Sequence, residues 1–231
     1  MVGAKSTPLC GIVPDKLFQL QSGRLLISAH FKNRDTGKLK QHLWYSDDNG
    51  DNWSERVIVT SDNRYNLCED PILECRDGTQ VAFLRENSGP GLDCFKAFSR
   101  NGDESWQGLY RVPILACHRP VAGFLKDGTV MITHRFMQGG KGWLEHWTQN
   151  IFAAFLTKES AKAPLRAEQS VRIMSLDYDR SSAADLGYTG WMQFTDVEIY
   201  VVNYIVDDAP KAQIRGYVFR LSDVLIDPQV R

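Results

Sequence analysis

Ser46-Asp47-Asp48-Asn49-Gly50-Asp51-Asn52-Trp53 follows the strand-like run Gln41 to Tyr45 and has the pattern S-x-D-x-G-x-x-W. In such a stretch Ser and Asp side chains satisfy turn amides, glycine takes a backbone shape that other residues resist, and tryptophan packs the turn onto the sheet. A weaker copy runs from Ser99 to Trp106, with Asn101 in place of the aspartate and Gly102 one place early. An acidic turn can also suggest calcium. The spacing lacks the glycine and terminal glutamate of an EF-hand loop, so the turn reads as structural.

Working outward, each copy follows a hairpin. Turns occur at Ser22-Gly23, Asp77-Gly78, Asp127-Gly128 and Asp196-Val197, each between two short apolar runs. Asp-Gly between strand-like runs is a strong hairpin signal, because the tight turn needs positive φ. Four hairpins roughly 50 to 70 residues apart predict repeated β-units of propeller-blade size. The repeat also aligns residues. Seven places beyond the turn glycine, or Val197, stand His30, Arg85, Arg135 and Tyr204; nine places before it stand Pro14, Glu69, Arg119 and Tyr188. Equivalent positions in blades lie at equivalent places around the axis, so these residues are expected to converge on one central hollow.

The chain has 231 residues with a net charge of −1, suited to one domain. No basic run suggests nucleic acid, and no apolar stretch is long enough for a membrane-spanning helix. The first nine residues lack a signal-peptide apolar region, so the expected location is cytoplasmic. Five cysteines (Cys10, Cys68, Cys75, Cys94 and Cys117) without a CxxC pair predict free thiols rather than a disulfide framework or a zinc site. Lys158 to Gln169, interrupted by Pro164, reads as an inter-blade loop, and Leu221 onward as a short helix or a closing strand.

The Ser46 turn resembles the Asp box (BNR repeat) of sialidase-like, or neuraminidase-like, β-propellers. Glu69-Asp70-Pro71-Ile72-Leu73-Glu74-Cys75-Arg76-Asp77-Gly78 and the following Val81 to Arg85 resemble a family segment of glutamate, strand, Asp-Gly turn, strand and arginine. Gly187 to Asp196 resembles the segment that carries the family's tyrosine nucleophile. The resemblance covers roughly Gly11 to Phe219. It implies an all-β propeller fold, with Tyr188 as nucleophile, Glu69 assisting it, and Arg85 gripping a sialic-acid carboxylate. Arg135 and Arg119 are the candidates for a further arginine of that grip. Family members have six blades and this chain has about four units, so residues 1–231 are expected to form one domain lacking the N-terminal blades. Those blades carry the first binding arginine and the acid/base aspartate in the family. No Arg-Ile-Pro segment stands near Ile12-Val13-Pro14, and Val197 replaces a turn glycine.

The residue types suit that chemistry. A carboxylate can take the phenolic proton as tyrosine attacks, and sialidases are a tyrosine exception among glycosidases. Guanidinium forks pair bidentately with carboxylates, although inter-blade ion pairing explains the same arginines. His30, His134 and Tyr204 suit contacts to sugar hydroxyls or strand-end packing. Trp143 and Trp147, beside Gly139, Gly140 and Gly142, suit a glycan-contacting rim or plain loop packing. Asp185, Asp207, Asp208, Asp35 and Asp15 are carboxylates that could replace a missing acid.

The expected activity is therefore retaining exo-hydrolysis of terminal sialic acid or a related acidic sugar from a sialoglycoconjugate, with no cofactor and no metal. A non-catalytic glycan-binding propeller, a truncated inactive remnant, or a hydrolase directed at arabinan or uronate remain as alternatives. Exposed blade faces in an open arc predict self-association.

Overall fold

A computed structural model describes residues 11–12, 15–60, 62–88, 93–102, 104–138 and 148–224. It is almost entirely β, arranged as four propeller blades in chain order. Blade 1 is an antiparallel meander of β1 (Phe18–Gln19), β2 (Leu25–Lys32), β3 (Leu39–Ser46) and β4 (Val57–Ile58). Blade 2 has an inner edge split into β5 (Leu67–Cys68) and β6 (Ile72–Glu74). Both pair with β7 (Gln80–Glu86), which is followed by β8 (Asp93–Ser99) and β9 (Gln107–Leu115). Blade 3 comprises β10 (Cys117–Phe124), β11 (Val130–Gln138), β12 (Thr148–Leu156) and β13 (Arg172–Tyr178). Blade 4 comprises β14 (Leu186–Gln193), β15 (Ile199–Ile205) and β16 (Gln213–Phe219).

The segment read as a loop contains a short helix, α1 (Lys158–Lys162), and a 3₁₀ turn at Arg166–Glu168. Thr157 caps α1 by accepting from the Ser160 amide, and Pro164 lies beyond its end, so the proline follows the helix rather than breaking it. A second short helix, α2 (Leu221–Val224), follows blade 4.

The four hairpin turns share one geometry. Gly23, Gly78, Gly128 and Val197 all have positive φ, and each donates its amide to the carbonyl three residues earlier. The Ser46 turn closes through its side chains. The Gly50 amide donates to Ser46 Oγ at 2.8 Å, the Asn52 amide to Asp48 Oδ1 at 2.8 Å, and the Trp53 indole to the Gly50 carbonyl at 3.1 Å. In the weaker copy Asn101 does the work of Asp48, accepting from the Ser105 amide at 3.1 Å.

Three apolar seams hold neighbouring blades together. Leu26, Leu43, Leu67 and Leu84 fill the first, Phe83, Val112, Ile114 and Ile132 the second, and Met131, Phe155, Ile199 and Val201 the third. Removing this surface from water stabilises the stack by roughly 25 cal/mol per Å². Among the described residues the other face of blade 4 has no such cover: Met192, Phe194, Ile214 and Val218 are exposed there, Ile214 by 78%. Among the described residues no helix is long and apolar enough to cross a membrane. Cys68, Cys75, Cys94 and Cys117 are buried free thiols; Cys10 lies outside the described residues.

The innermost strands are irregular at matching places. Cys68 pairs with Arg85 and Ile72 with Ala82, so the inner edge of blade 2 holds one residue more than β7 opposite it. The same one-residue excess separates His118 from Val121 in β10 and Gly187 from Gly190 in β14. Glu69, Arg119 and Tyr188 occupy these bulges, with φ of 53°, 48° and 52°. A bulge bends its strand and re-aims a side chain, which is how the repeat places these three residues.

Val197, a branched residue at φ 68°, is the outlier among the hairpin turns. Left-handed backbone costs a non-glycine residue about 1–2 kcal/mol. Val197→Gly is therefore expected to raise unfolding free energy by about 0.5–1 kcal/mol, after the extra chain entropy of glycine is deducted. Urea denaturation checks this, and a lower midpoint would contradict it.

Candidate active site

Each bulge lies beside a second column. Arg85, Arg135 and Tyr204 pair across the sheet with Cys68, His118 and Gly187, just ahead of the bulged positions, and His30 pairs with Ile12. All the residues aligned by the repeat that fall within the described part of the chain thus gather at one end of the arc. Pro14 lies outside the described residues, as do Trp143, Trp147 and their neighbouring glycines.

Arg85 donates from Nη1 to Glu69 Oε2 at 2.6 Å and from Nη2 to Asn87 Oδ1 at 2.7 Å. Both members of the Arg85–Glu69 ion pair are largely buried. Glu69 therefore meets Arg85, and no hydrogen bond joins it to Tyr188. Arg119 forms an ion pair with Asp15 at 2.9 Å and lays its guanidinium 4.8 Å from the centre of the Tyr188 ring. Tyr188 in turn stacks on Tyr204 at 6.2 Å, and the Tyr204 hydroxyl donates to Asp185 Oδ1 at 2.7 Å. Arg135 donates to Gln149 Oε1 at 3.2 Å and to the Leu186 carbonyl at 3.1 Å, and lies 3.8 Å from Asp185. A run of contacts thus links Asp15, Arg119, Tyr188, Tyr204, Asp185 and Arg135 across three blades.

A cavity of about 490 Å³ opens between the inner strands of all four blades. Asp15, Lys16, Ser28, Asp70, Arg119 and Tyr188 form its polar wall. Phe18, Leu26, Ile72, Val121 and Trp191 form its apolar wall. Tyr188 is 48% exposed, so a ligand can reach it. Trp191 is fixed by donating its indole N–H to the Val121 carbonyl at 3.1 Å. Its ring lies on Gly123, where a Cβ would come within 2.8 Å of it.

Burial dominates the titrations. Burial raises the Asp15 carboxyl from 3.8 to about 6, against the opposing pull of Arg119 and Ser28. Burial pushes fully enclosed Asp70 well above the carboxylate range, and nearby Asp15 adds to the rise. His30 is lowered by burial, with Arg85 and Arg119 adding to the effect and Glu69 opposing it. Burial lowers His118 to about 2, helped by Arg85 and Arg135. Burial and the bond to Asp185 raise the Tyr204 hydroxyl.

The other candidate acids separate by place. Asp35 is exposed in the β2–β3 turn, and Asp207 is tied to Arg180 and Arg215, which hold it below the usual range. Asp208 accepts from Arg180 at the exposed outer end of the same cluster. Asp15 alone among these lines the cavity. His134 is buried in the strand interior, beside Phe152. Three residues of the polar wall, Lys16, Ser28 and Asp70, escaped the sequence reading as site residues. The signal for the last two was adjacency: Asp70 follows Glu69, and Ser28 stands two places before His30. Among the described residues no group of three His, Cys, Asp or Glu is placed to hold a metal ion.

The stability effect of Asp15 has a definite sign. Its folded value is raised, so its contribution is fullest at low pH and is lost as pH rises from about 4 through about 6. Buried neutral His42, His118 and His134 pull the other way below pH 6.5, so the effect is read as a difference between proteins. Relative to the native chain, Asp15→Asn should remove a decline of roughly 3 kcal/mol across that window. Denaturation midpoints at a series of pH values test this; parallel curves for the two proteins would contradict it.

The architecture recurs among solved structures. A protein of unknown function from Dyadobacter fermentans is 23% identical over 87% of this chain and 51% of its own, with a TM-score of 0.70. The intramolecular trans-sialidase from Ruminococcus gnavus is 17% identical over 93% of this chain and 44% of its own, with a TM-score of 0.59. An alpha-L-arabinanase from Penicillium chrysogenum is 12% identical over 92% of this chain and 64% of its own, with a TM-score of 0.59. At these identities the likeness is one of fold, and the chain spans about half the length of the first two. The fold is a sialidase-like β-propeller arrangement, shared with other glycoside-cleaving propellers. The sequence matches no protein-family model and no curated protein sequence.

Proposed function

We propose that this chain carries the site of a sialidase-like exo-glycosidase that hydrolyses terminal sialic acid or a related acidic sugar with retention. One observation supports this above the others. Three bulges at matching positions bring Glu69–Arg85, Arg119–Asp15 and an accessible Tyr188 to the same end of one axis. Backbone strain of this kind, repeated in three blades, costs about 1–3 kcal/mol at each place and is typical of functional sites.

The proposed roles follow from placement. Tyr188 Oη attacks the anomeric carbon and its proton passes to Glu69. The Arg119 guanidinium lies over the Tyr188 ring, where a cation meets the negative face of the π-system. Asp15, protonated over part of the working range, donates its proton to the leaving oxygen and as a carboxylate then activates the water that releases the sugar. For Glu69 to act, its carboxylate must turn from Arg85 toward Tyr188, and the incoming sugar carboxylate supplies Arg85 with a replacement partner. The charge balance favours an acidic ligand. With Asp70 protonated, Lys16, Arg85 and Arg119 outnumber Glu69 and Asp15.

A second reading, hydrolysis of a neutral sugar such as an arabinoside, draws on a different observation. Every candidate arginine already has a partner within the chain: Glu69 and Asn87 for Arg85, Asp15 for Arg119, and Gln149 with Leu186 for Arg135. A binding propeller without catalysis is the third.

Fluorogenic 4-methylumbelliferyl glycosides of sialic acid and of arabinose separate the three. Turnover of the sialoside, abolished in Tyr188→Phe with an unchanged circular dichroism spectrum, is the expected result. Unchanged turnover in that variant would overturn the mechanism. Turnover of the arabinoside alone would select the second reading, and glycan binding without turnover the third.

A further inference from the structure

Asp70 is a buried acid whose partners do not account for a charge. It is 1% exposed and borders the cavity, yet among the described residues it has no ion-pair partner. Its Oδ1 accepts from the Gln41 side-chain amide, and its Oδ2 meets no hydrogen-bond partner. An ionised carboxylate in that position would be an uncompensated buried charge, which costs several kcal/mol. A protonated carboxyl carries no charge and turns the orphaned oxygen into a donor.

Ser28 links it to the site. The Ser28 hydroxyl donates to Asp15 Oδ2 at 3.2 Å, and it also faces the Asp70 carboxyl. A hydroxyl has one hydrogen. With that hydrogen directed at Asp15, Ser28 can only accept from Asp70, and only a protonated Asp70 can donate. Among the described residues Arg119 from β10 is the one cation paired with either carboxyl. Glu69 and the Asp70 backbone amide also face Asp15, and the same amide and Gln41 from β3 face Asp70.

We propose that Asp70 stays a neutral carboxylic acid at neutral pH and, by donating to Ser28 Oγ, holds the Ser28 hydrogen on Asp15 at the cavity wall. No proton leaves Asp70. When Asp15 gives its proton to a leaving oxygen it becomes a carboxylate, and the Ser28 hydrogen bond then orients that carboxylate toward the attacking water. Asp70 and Ser28 are thus positioning residues that act through Asp15. The catalytic half of this inference rests on the glycosidase reading; the protonation of Asp70 does not.

Two measurements keep these apart. Infrared spectroscopy of the native chain at neutral pH should show the carbonyl stretch of a buried protonated carboxyl. The band should persist in Asp15→Asn and in Ser28→Ala and vanish in Asp70→Asn. Its absence from the native chain, or its persistence in Asp70→Asn, would overturn the neutral Asp70 whatever the activity. With the 4-methylumbelliferyl sialoside, Asp70→Asn and Ser28→Ala should each lower kcat by about 10²-fold at unchanged KM, with the pH profile of kcat displaced. Full kcat in either variant would overturn the positioning role. A native chain with the band but no turnover of any glycoside would instead overturn the glycosidase reading and leave the protonated Asp70 standing.

Discussion

One extra residue in the inner strands of blades 2, 3 and 4 governs the chemistry of this molecule. A regular strand alternates its side chains between faces and would carry Glu69, Arg119 and Tyr188 into the blade interfaces. The bulge breaks that alternation once in each of these three blades, at the same height, and the left-handed backbone at each position turns the side chain out of the pleat. The apolar seams between blades then hold the bulges in register, because a blade that slipped would unpack Leu84, Phe83 or Ile132. Packing and site geometry are consequences of the same repeat.

Burial without water sets the electrostatics. Acids and bases crowd the axial end, and those that remain charged do so in pairs: Glu69 with Arg85, Asp15 with Arg119. Groups without a partner shed their charge, as Asp70 and His118 illustrate in opposite directions. Internal pairing keeps the arginine forks fixed and ready while no ligand is present. It also means that an acidic ligand must exchange with a carboxylate of the chain, so recognition and proton uptake at Asp15 are linked. A neutral ligand would leave the pairs intact, which is why substrate charge is the question that divides the two glycosidase readings.

Much of this was legible in the sequence. The Asp-Gly turns and the Ser46 to Trp53 pattern mark the hairpins because their geometry depends on a few local residues. Fixed offsets from those turns were enough to align Glu69, Arg119 and Tyr188. The bulges themselves were not legible, since glutamate, arginine and tyrosine at positive φ leave no compositional trace. Partner choice was also hidden. Glu69 binds Arg85 from its own blade, whereas Arg119 reaches Asp15 in another, and only the rotation between blades decides such contacts. Asp70 stood in the sequence as the residue after Glu69 and a possible ion-pair partner for an arginine, because nothing local reveals that its carboxyl would be enclosed without a cation. The α1 helix was obscured by Pro164, which lies past the helix end rather than inside it.

The central claim is that residues aligned by the repeat form one ligand site at the axis. A crystal structure of the chain with the unsaturated sialic-acid analogue 2-deoxy-2,3-didehydro-N-acetylneuraminic acid tests it most directly. The account predicts the analogue in the cavity between Asp15, Arg119 and Tyr188, with its carboxylate on an arginine whose internal partner has moved aside. An analogue bound away from that cavity, or Tyr188 and Arg119 facing opposite sides of the arc, would contradict it.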